Sequence, residues 1–216
     1  MEFFKELSDP KRQILREILN DWWKNEKIPE EMVEARIVLI FKAGDARNLD
    51  NYRPISLLNT MYKIFAAIVQ RRISATLDKH LQSTQYGFRK DKSTADAIHL
   101  VRRISEYGES TQHKFILVLL VWEKAFDKVN QEALFEAMER MRIDPKLIRL
   151  TRQLYKNPTF KIEIEGEQSA WKTQHSGIRQ GCPLSPYLFL IVMTALFNDV
   201  HHKLDEELQL HRVPGA

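Results

Sequence analysis

Apolar side chains recur at helical spacing along much of the chain. In residues 11–25 they stand at positions 14, 15, 18, 19, 22 and 23, which form one stripe on an α-helix. Other stripes follow residues that can cap a first turn, such as Asn130, or Asp144 followed by Pro145. The pattern predicts helices at about residues 11–25, 62–77, 94–107, 131–141, 145–155 and 187–204.

Two segments have the patterns of exposed or half-buried strands. Residues 35–41 are β-branched or apolar and predict a strand, after which the polar residues 42–58 are interpreted as a loop. Residues 160–165 alternate apolar and charged side chains, and Gly166 offers a turn before a weaker partner strand at 169–173. The second pattern predicts a hairpin.

Residues 116–121 form an unbroken apolar run, which is typical of a strand buried on both faces. The run stops in a charged turn, Trp122-Glu123-Lys124-Ala125-Phe126-Asp127. Ligands often bind beyond the carboxyl ends of such strands. We therefore expect this run to be the central strand of the fold and the turn to lie at a functional site.

Charge is unevenly distributed in this chain of 216 residues, of which 44% are apolar and which carries a net charge of +4. Residues 36–103 contain thirteen lysines and arginines against five aspartates, a net +8, so the remainder carries −4. The length suits one domain, or two lobes of one enzyme. A basic segment ahead of a slightly acidic one favours a partner with a phosphate backbone, although solvated helix faces give the same pattern.

Cysteine content and the amino terminus bear on the compartment. Cys182 is the only cysteine, which excludes an internal disulfide and a cysteine-based zinc site. Residues 1–6 contain acids and lack the apolar stretch of a signal peptide, and the longest apolar runs are too short to cross a membrane. We expect an intracellular protein, nuclear or cytoplasmic, without membrane insertion.

Four short motifs occur in order along the chain, and each is unspecific alone. They are Tyr52-Arg53-Pro54-Ile55-Ser56-Leu57-Leu58, then Gln85-Tyr86-Gly87-Phe88-Arg89 with Ser93-Thr94, then Trp122 to Asp127, then Gly177-Ile178-Arg179-Gln180-Gly181-Cys182-Pro183-Leu184-Ser185-Pro186. Together, over about residues 28–200, they resemble the fingers and palm of the reverse transcriptase of a non-LTR (LINE-type) retrotransposon. Such enzymes are RNA-directed DNA polymerases, a class of nucleotidyltransferase.

The resemblance implies roles for the matching residues. Arg53 would neutralise the triphosphate of a dNTP, and Phe126 would lie under its sugar and crowd a ribose 2′-hydroxyl. Gln180 and Gly181 would approach the nucleotide and the primer–template base pair. The implied nucleotide-binding residues are Arg53, Phe126, Gln180 and Gly181, and the implied template-binding residues are Lys42 and Arg47, which also assist Arg53, with Arg89, Lys90 and Lys92.

Two departures from the family pattern concern the metal site. The family holds two Mg²⁺ ions with the leading aspartate of Asp-x-x-x-Ala-Phe-Asp and an adjacent aspartate pair, but Val121 occupies the leading position. No Asp-Asp pair occurs, and the chain ends at Ala216 before the place expected for it. We expect no intact catalytic residue, no metal ligands and no bound cofactor. Glu123 is an alternative ligand on the same strand face, and Asp127 is expected to brace the turn.

The resemblance implies an α+β fold of the right-hand polymerase type, with a small antiparallel palm sheet packed on helices. Its expected parts are a helical extension at 1–27, a fingers-like basic lobe at 28–110 and an incomplete palm at 111–216. The expected partners are an RNA template and an RNA/DNA duplex, dNTP in the active family, and a protein partner or second copy at an exposed palm edge.

Three functions remain open at this point. The first is a fingers and palm fragment of a reverse transcriptase that is inactive as it stands. The second is a non-catalytic RNA-binding module. The third is the product of a decayed element, which would still fold because its core pattern is intact.

Overall fold

The structure, a computed structural model, describes residues 6–112 and 116–210. Residues 1–5 and the end of the chain at Ala216, on which two expectations rest, lie outside the described residues. The helices are α1 (Asp9–Asn25), α2 (Thr60–Leu77), α3 (Thr94–Thr111), α4 (Gln131–Arg140), α5 (Pro145–Leu154) and α6 (Ser185–Leu210). The strands are β1 (Ala35–Phe41), β2 (Tyr52–Leu58), β3 (Thr159–Ile164), β4 (Glu167–Gln168) and β5 (Lys172–Thr173).

All six predicted helices are confirmed, and the largest difference is at the end of α6, which lies six residues beyond the expected residue 204. The predicted caps form: Asn130 accepts a hydrogen bond from the amide of Ala133 at 3.0 Å, and Asp144 accepts one from Lys146 at 2.7 Å. Pro145 stands in the first turn of α5, where no amide hydrogen is needed. These features are local, which is why sequence patterns predict them.

The strands form one mixed sheet in the order β2-β1-β3-β4, with β5 also paired to β3. The predicted hairpin is confirmed, with its second arm divided into β4 and β5. The expected antiparallel pairing is found between β1 and β2 and between β3 and its partners β4 and β5, but not between β1 and β3, which run parallel. Parallel neighbours need a long crossover connection, and here the chain passes through four helices before it returns to β1.

The interpretation of residues 42–58 as a loop is wrong for residues 52–58, which form β2 along the whole length of β1. Pro54 obscured this strand because proline donates no backbone hydrogen bond and seldom occurs within a sheet. Here β2 is the first strand in the sheet order, and Pro54 lies opposite Leu39 of its single neighbour. An edge strand tolerates proline on the side that has no partner.

The prediction of a buried central strand at residues 116–121 is wrong. These residues have no assigned strand pairing, and their side chains are between 54% and 94% exposed. A strand forms only where a neighbouring backbone accepts and donates its hydrogen bonds, and the described residues place none beside this run. Its apolar composition therefore did not determine its burial.

The hydrophobic core lies where α2, α4, α5 and α6 pack together. The inner face of α2 is fully buried, and Phe65 meets Trp22 of α1 edge to face with ring centroids 5.5 Å apart. In contrast, α3 buries only Gly108 and exposes several apolar side chains. Within the described residues, no helix is both long and apolar enough to cross a membrane.

Candidate functional site

Residues 176–182, here called the glycine loop, join two remote parts of the chain. The amide of Gly177 donates to the carbonyl of Val129 at 2.7 Å, and the amide of Ile178 donates to the carbonyl of Phe126 at 2.8 Å. On the other side, the amide of Ser56 in β2 donates to the carbonyl of Gln180 at 2.7 Å. The loop therefore connects the charged turn to the edge of the sheet.

Two glycines allow this close approach. Gly177 has a φ of +82°, and a Cβ there would lie 2.8 Å from the carbonyl oxygen of Asp127. Gly181 has a φ of +113°, and a Cβ there would lie 2.6 Å from the carbonyl oxygen of Ser56. Residues other than glycine rarely adopt such φ values, and both distances are shorter than those that real Cβ atoms show. The close neighbour of Gly181 in the structure is the backbone of β2, and its expected approach to a nucleotide stays a prediction.

A cleft of about 380 Å³ lies between the glycine loop and the sheet. Its walls combine the buried hydroxyl of Ser56, the carboxylate of Asp127 and the amide of Gln180, whose Nε2 lies 3.4 Å from the Asp127 Oδ1. Asp127 was expected to brace its own turn, but its carboxylate instead accepts from Gln180. The full lining consists of Ile37, Pro54, Ser56, Asp127, Phe160, Thr173, Gln174, His175, Ser176, Ile178, Arg179 and Gln180.

Phe126 lies in a row of three aromatic rings. Its centroid is 5.3 Å from that of Phe189 on α6 and 6.3 Å from that of Phe88, which is 55% exposed. Phe88 belongs to residues 85–93, which are called the basic segment from here on. The contact between Phe88 and Phe126 therefore places this segment beside the charged turn. The structure thus places the second and third motifs side by side, although 37 residues lie between Phe88 and Phe126 in sequence.

The cations of the basic segment differ in their surroundings. Arg89 is half-buried and donates to the backbone carbonyls of Gln82 and Gln85, at 3.0 and 3.5 Å, so its guanidinium also holds its own loop together. Lys92 lies over the ring of Tyr86 at 5.4 Å, and Lys90 is exposed. Aromatic rings beside exposed cations suit single-stranded nucleic acid, because bases stack on rings and phosphates pair with charges.

The cations of β1, β2 and their connection are exposed. Arg53 forms no ion pair within the described residues, whereas Arg47 is paired to Asp45 at 3.1 Å. The Lys42 ammonium lies 3.5 Å from the backbone carbonyl of Asp50. None of the three lines the cleft described above. The structure brings Phe126 close to the loop that carries Gln180 and Gly181. Of the predicted site residues, Gln180 alone lines the cleft among the described residues.

One ion pair connects this β1–β2 connection to the charged turn. Lys124 contacts Asp50 at 2.9 Å, and its hydrogen bond lowers the pKa of Asp50 from its ordinary value. The same contact raises the pKa of Lys124. Both side chains are exposed, so the pair orients the turn more than it stabilises the fold.

The residues present do not fit a magnesium site. Val121 is 94% exposed, and Glu123 is engaged by Lys128 at 2.8 Å, which lowers the pKa of Glu123 through their hydrogen bond. Among the described residues, no three His, Cys, Asp or Glu side chains are grouped closely enough to hold a metal ion. Magnesium prefers several oxygen ligands, and this part of the chain offers none in a group.

Sequence reasoning missed two residues of this site. Ser56 was interpreted as part of a loop, and the strand pattern of β2 was hidden by Pro54. Arg179 lies within the fourth motif, which implies no role for it, although it is 2% exposed at the base of the glycine loop. The available signal was its position between Gly177 and Gln180. A larger cavity, about 520 Å³, contains no predicted site residue; it is lined by Glu139, Arg142, Ile143, Pro145, Ile148, Arg149 and Arg152.

Comparison with known proteins gives a consistent result. Residues 40–212 match the family described as reverse transcriptase (RNA-dependent DNA polymerase). The chain is 27% identical over 193 residues to the transposon TX1 uncharacterized 149 kDa protein of Xenopus laevis, which covers 89% of the chain and 15% of that protein. It is 27% identical over 188 residues to the RNA-directed DNA polymerase from mobile element jockey of Drosophila melanogaster, covering 86% and 20%.

A third relative is the retrovirus-related Pol polyprotein from type-1 retrotransposable element R2 of Popillia japonica. The identity is 29% over 170 residues, which covers 78% of the chain and 24% of that protein. The aligned part thus spans less than a quarter of the length of each of these three relatives.

Proposed function

The chain belongs to the reverse transcriptase (RNA-dependent DNA polymerase) family, and from this we propose that it binds an RNA template or an RNA/DNA duplex across the glycine loop, the Phe126 turn and the basic segment. Relatives from the jockey and R2 elements agree with the non-LTR type inferred from the motifs. The observation that carries the proposal is the row of aromatic rings formed by Phe88, Phe126 and Phe189. The exposed Lys90 and Lys92 follow Phe88 in sequence, and the backbone of Phe126 is bonded to the glycine loop.

The proposed parts follow the right-hand polymerase plan. Residues 28–110 act as fingers and residues 111–216 as palm, with residues 1–27 as a helical extension; one sheet joins the first two parts through β1 and β3. We assign Arg53, Phe126, Gln180 and Gly181 to the nucleotide. We assign Lys42, Arg47, Arg89, Lys90 and Lys92 to the template backbone, with dNTP as the small-molecule partner of the active family.

The binding test is the salt dependence of affinity for a labelled RNA/DNA duplex, measured by fluorescence anisotropy. Lysine and arginine release counterions from phosphates, so the logarithm of affinity falls linearly with the logarithm of salt concentration. Replacing both Lys90 and Lys92 by glutamine lowers the steepness of that line by about 0.9 for each phosphate that the variant no longer neutralises. Lys156→Gln is the matched control, because Lys156 is exposed but lies outside the basic segment. A flat salt response of the unaltered chain refutes the proposal.

We further propose that the chain as it stands does not catalyse DNA synthesis. Val121 supplies no oxygen for a hard cation, and Glu123 is already paired with Lys128. Primer extension with Mg²⁺ or Mn²⁺ is therefore expected to give no product under conditions in which the duplex is bound. A metal-dependent product from the unaltered chain would overturn this part of the proposal.

A second proposal, self-association, rests on residues 116–122. Seven consecutive apolar side chains are 49% or more exposed, on a backbone that has no strand partner within the described residues, and such a segment can pair with the same segment of another copy. On α6, Leu196, Phe197 and Val200 are also partly exposed. Sedimentation velocity is expected to show concentration-dependent dimers that Leu119→Lys removes, because an edge lysine opposes strand pairing. A monomer at all concentrations contradicts this proposal.

A further inference from the structure

Arg179 is an unusual buried residue. Its side chain is 2% exposed, and it has no ion pair within the described residues. One guanidinium nitrogen, Nη1, is buried without any hydrogen-bond partner among those residues. Arginine is rarely fully buried unless it is paired, because removing its charge from water is costly. Burial of this side chain therefore costs free energy of desolvation. A function of Arg179 would explain why the residue is kept in the interior.

The contacts of Arg179 connect the glycine loop to the beginning of the sheet. Its Nη2 donates to the carbonyl oxygen of Val33, two residues before β1, and its Nε lies 3.4 Å from the Oε1 of Gln174. Its guanidinium also lies 5.5 Å from the ring centroid of Tyr62 in the core. The side chain is thus held through two of its three nitrogens, Nε and Nη2, and lies near one aromatic ring.

Gln174 extends this connection to the start of the loop. Its Nε2 donates to the carbonyls of Ser176 and Gly177 at 3.0 and 3.2 Å. The backbone on either side of Arg179 is bonded elsewhere, Ile178 to the charged turn and Gln180 to β2. Several contacts therefore hold the loop, including those of the Ser176 and Gln180 side chains to Asp127. Arg179 adds a fully buried side-chain contact from within the loop to Val33.

We propose that Arg179 is a positioning residue: its guanidinium, bonded at once to Val33 and Gln174, holds the glycine loop so that the carbonyl of Gln180 docks on the amide of Ser56. The functional consequence of this inference rests on the proposed function. If the chain binds nucleic acid, the docked loop presents Gln180 and Gly181 to it. Arginine suits the task because its planar fork donates in two directions from a fixed geometry, whereas lysine offers a single point charge.

The test is hydrogen exchange at the amide of Ser56, which is the donor to Gln180 and so reports docking directly. In the full chain, Arg179→Met is expected to raise the exchange rate of this amide by about tenfold or more relative to core amides such as that of Val69. Arg179→Lys keeps a donor for Val33 and is expected to restore part of the protection. Gln174→Leu removes one of the two Arg179 contacts together with the bonds from Gln174 to Ser176 and Gly177. It is also expected to raise the exchange rate of the Ser56 amide, which keeps the test available if Arg179→Met does not fold.

Thr151→Val is the control for a purely structural effect. Thr151 is fully buried and donates to the carbonyl of Leu147 at 2.8 Å, away from the loop, so its loss accelerates Ser56 and Val69 alike. If Arg179→Met and Gln174→Leu also accelerate both amides by one common factor, Arg179 only stabilises the fold and the inference is wrong.

Duplex affinity separates this inference from the proposed function. Selective loss of Ser56 protection, together with weaker duplex binding, supports both. Selective loss in a protein that never binds the duplex supports the positioning role and refutes the proposed function.

Discussion

Gly181→Ala is the sharpest single perturbation of the candidate site. A methyl group at this position would stand 2.6 Å from the carbonyl oxygen of Ser56, on a backbone with a φ of +113°. The unfavourable φ costs about 1–2 kcal/mol. Relief of the contact also breaks the hydrogen bond between the Ser56 amide and the Gln180 carbonyl, which contributes about 1 kcal/mol, and crowding adds about 1 kcal/mol or more. The free energy of unfolding should fall by about 3–4 kcal/mol.

Gly166→Ala provides the matched control. Gly166 has a φ of +89°, similar in its strain, but a Cβ there meets nothing within 4 Å. The control is expected to lose only about 1–2 kcal/mol, the cost of the backbone conformation. Urea unfolding followed by circular dichroism measures both variants, and anisotropy measures their duplex affinity, which only Gly181→Ala should weaken. Equal losses of stability in the two variants would refute the close packing of the glycine loop on β2.

Leu150 is fully buried, so Leu150→Ala should lower the free energy of unfolding by about 2–5 kcal/mol. The control Ile98→Ala, at a position 49% exposed, should change this free energy by about 0.5 kcal/mol at most. Equal urea midpoints for the two variants would contradict the core assignment. Burial raises the pKa of Tyr62 and Tyr155, so the unfolded chain loses protons above pH 10 that the folded chain keeps. Stability is therefore complete below pH 10 and falls above it by about 1.4 kcal/mol per pH unit for each phenol, and phenolate absorbance from these two rings in a folded chain would contradict this. Asn130→Ala should cost about 1 kcal/mol in thermal unfolding through loss of the α4 cap, and no loss would exclude that cap.

The helices of this protein follow from local information. The stripe of α1, the caps at Asn130 and Asp144, and the proline at the start of α5 each act within one or two turns of chain. Hydrogen bonds of an α-helix join residues four apart, so a short window of sequence contains both partners. The order and spacing of the four motifs likewise identified the reverse transcriptase family without reference to the fold.

Strands depend on partners that are distant in sequence. The apolar run at residues 116–121 has a stronger strand pattern than residues 52–58, yet only the second forms a strand. Residues 52–58 lie beside β1 and gain its hydrogen bonds in spite of Pro54, whereas the apolar run has no neighbour among the described residues. The composition of a segment determines whether it can form a strand. Whether it does so depends on a pairing partner elsewhere in the chain.

The candidate site divides in the same way. From sequence alone come Phe126, Gln180 and Gly181 as candidates, the prediction that Val121 stands where the family has a metal-binding aspartate, and the basic character of residues 36–103. The docking of Gln180 on Ser56 and the burial of Arg179 between Val33 and Gln174 emerge only in three dimensions. The contact between Arg179 and Val33 spans 146 residues, and no periodicity or local motif carries information over that separation. Such contacts arise when the core closes around them, because only then do donors and acceptors that are remote in sequence come within bonding distance.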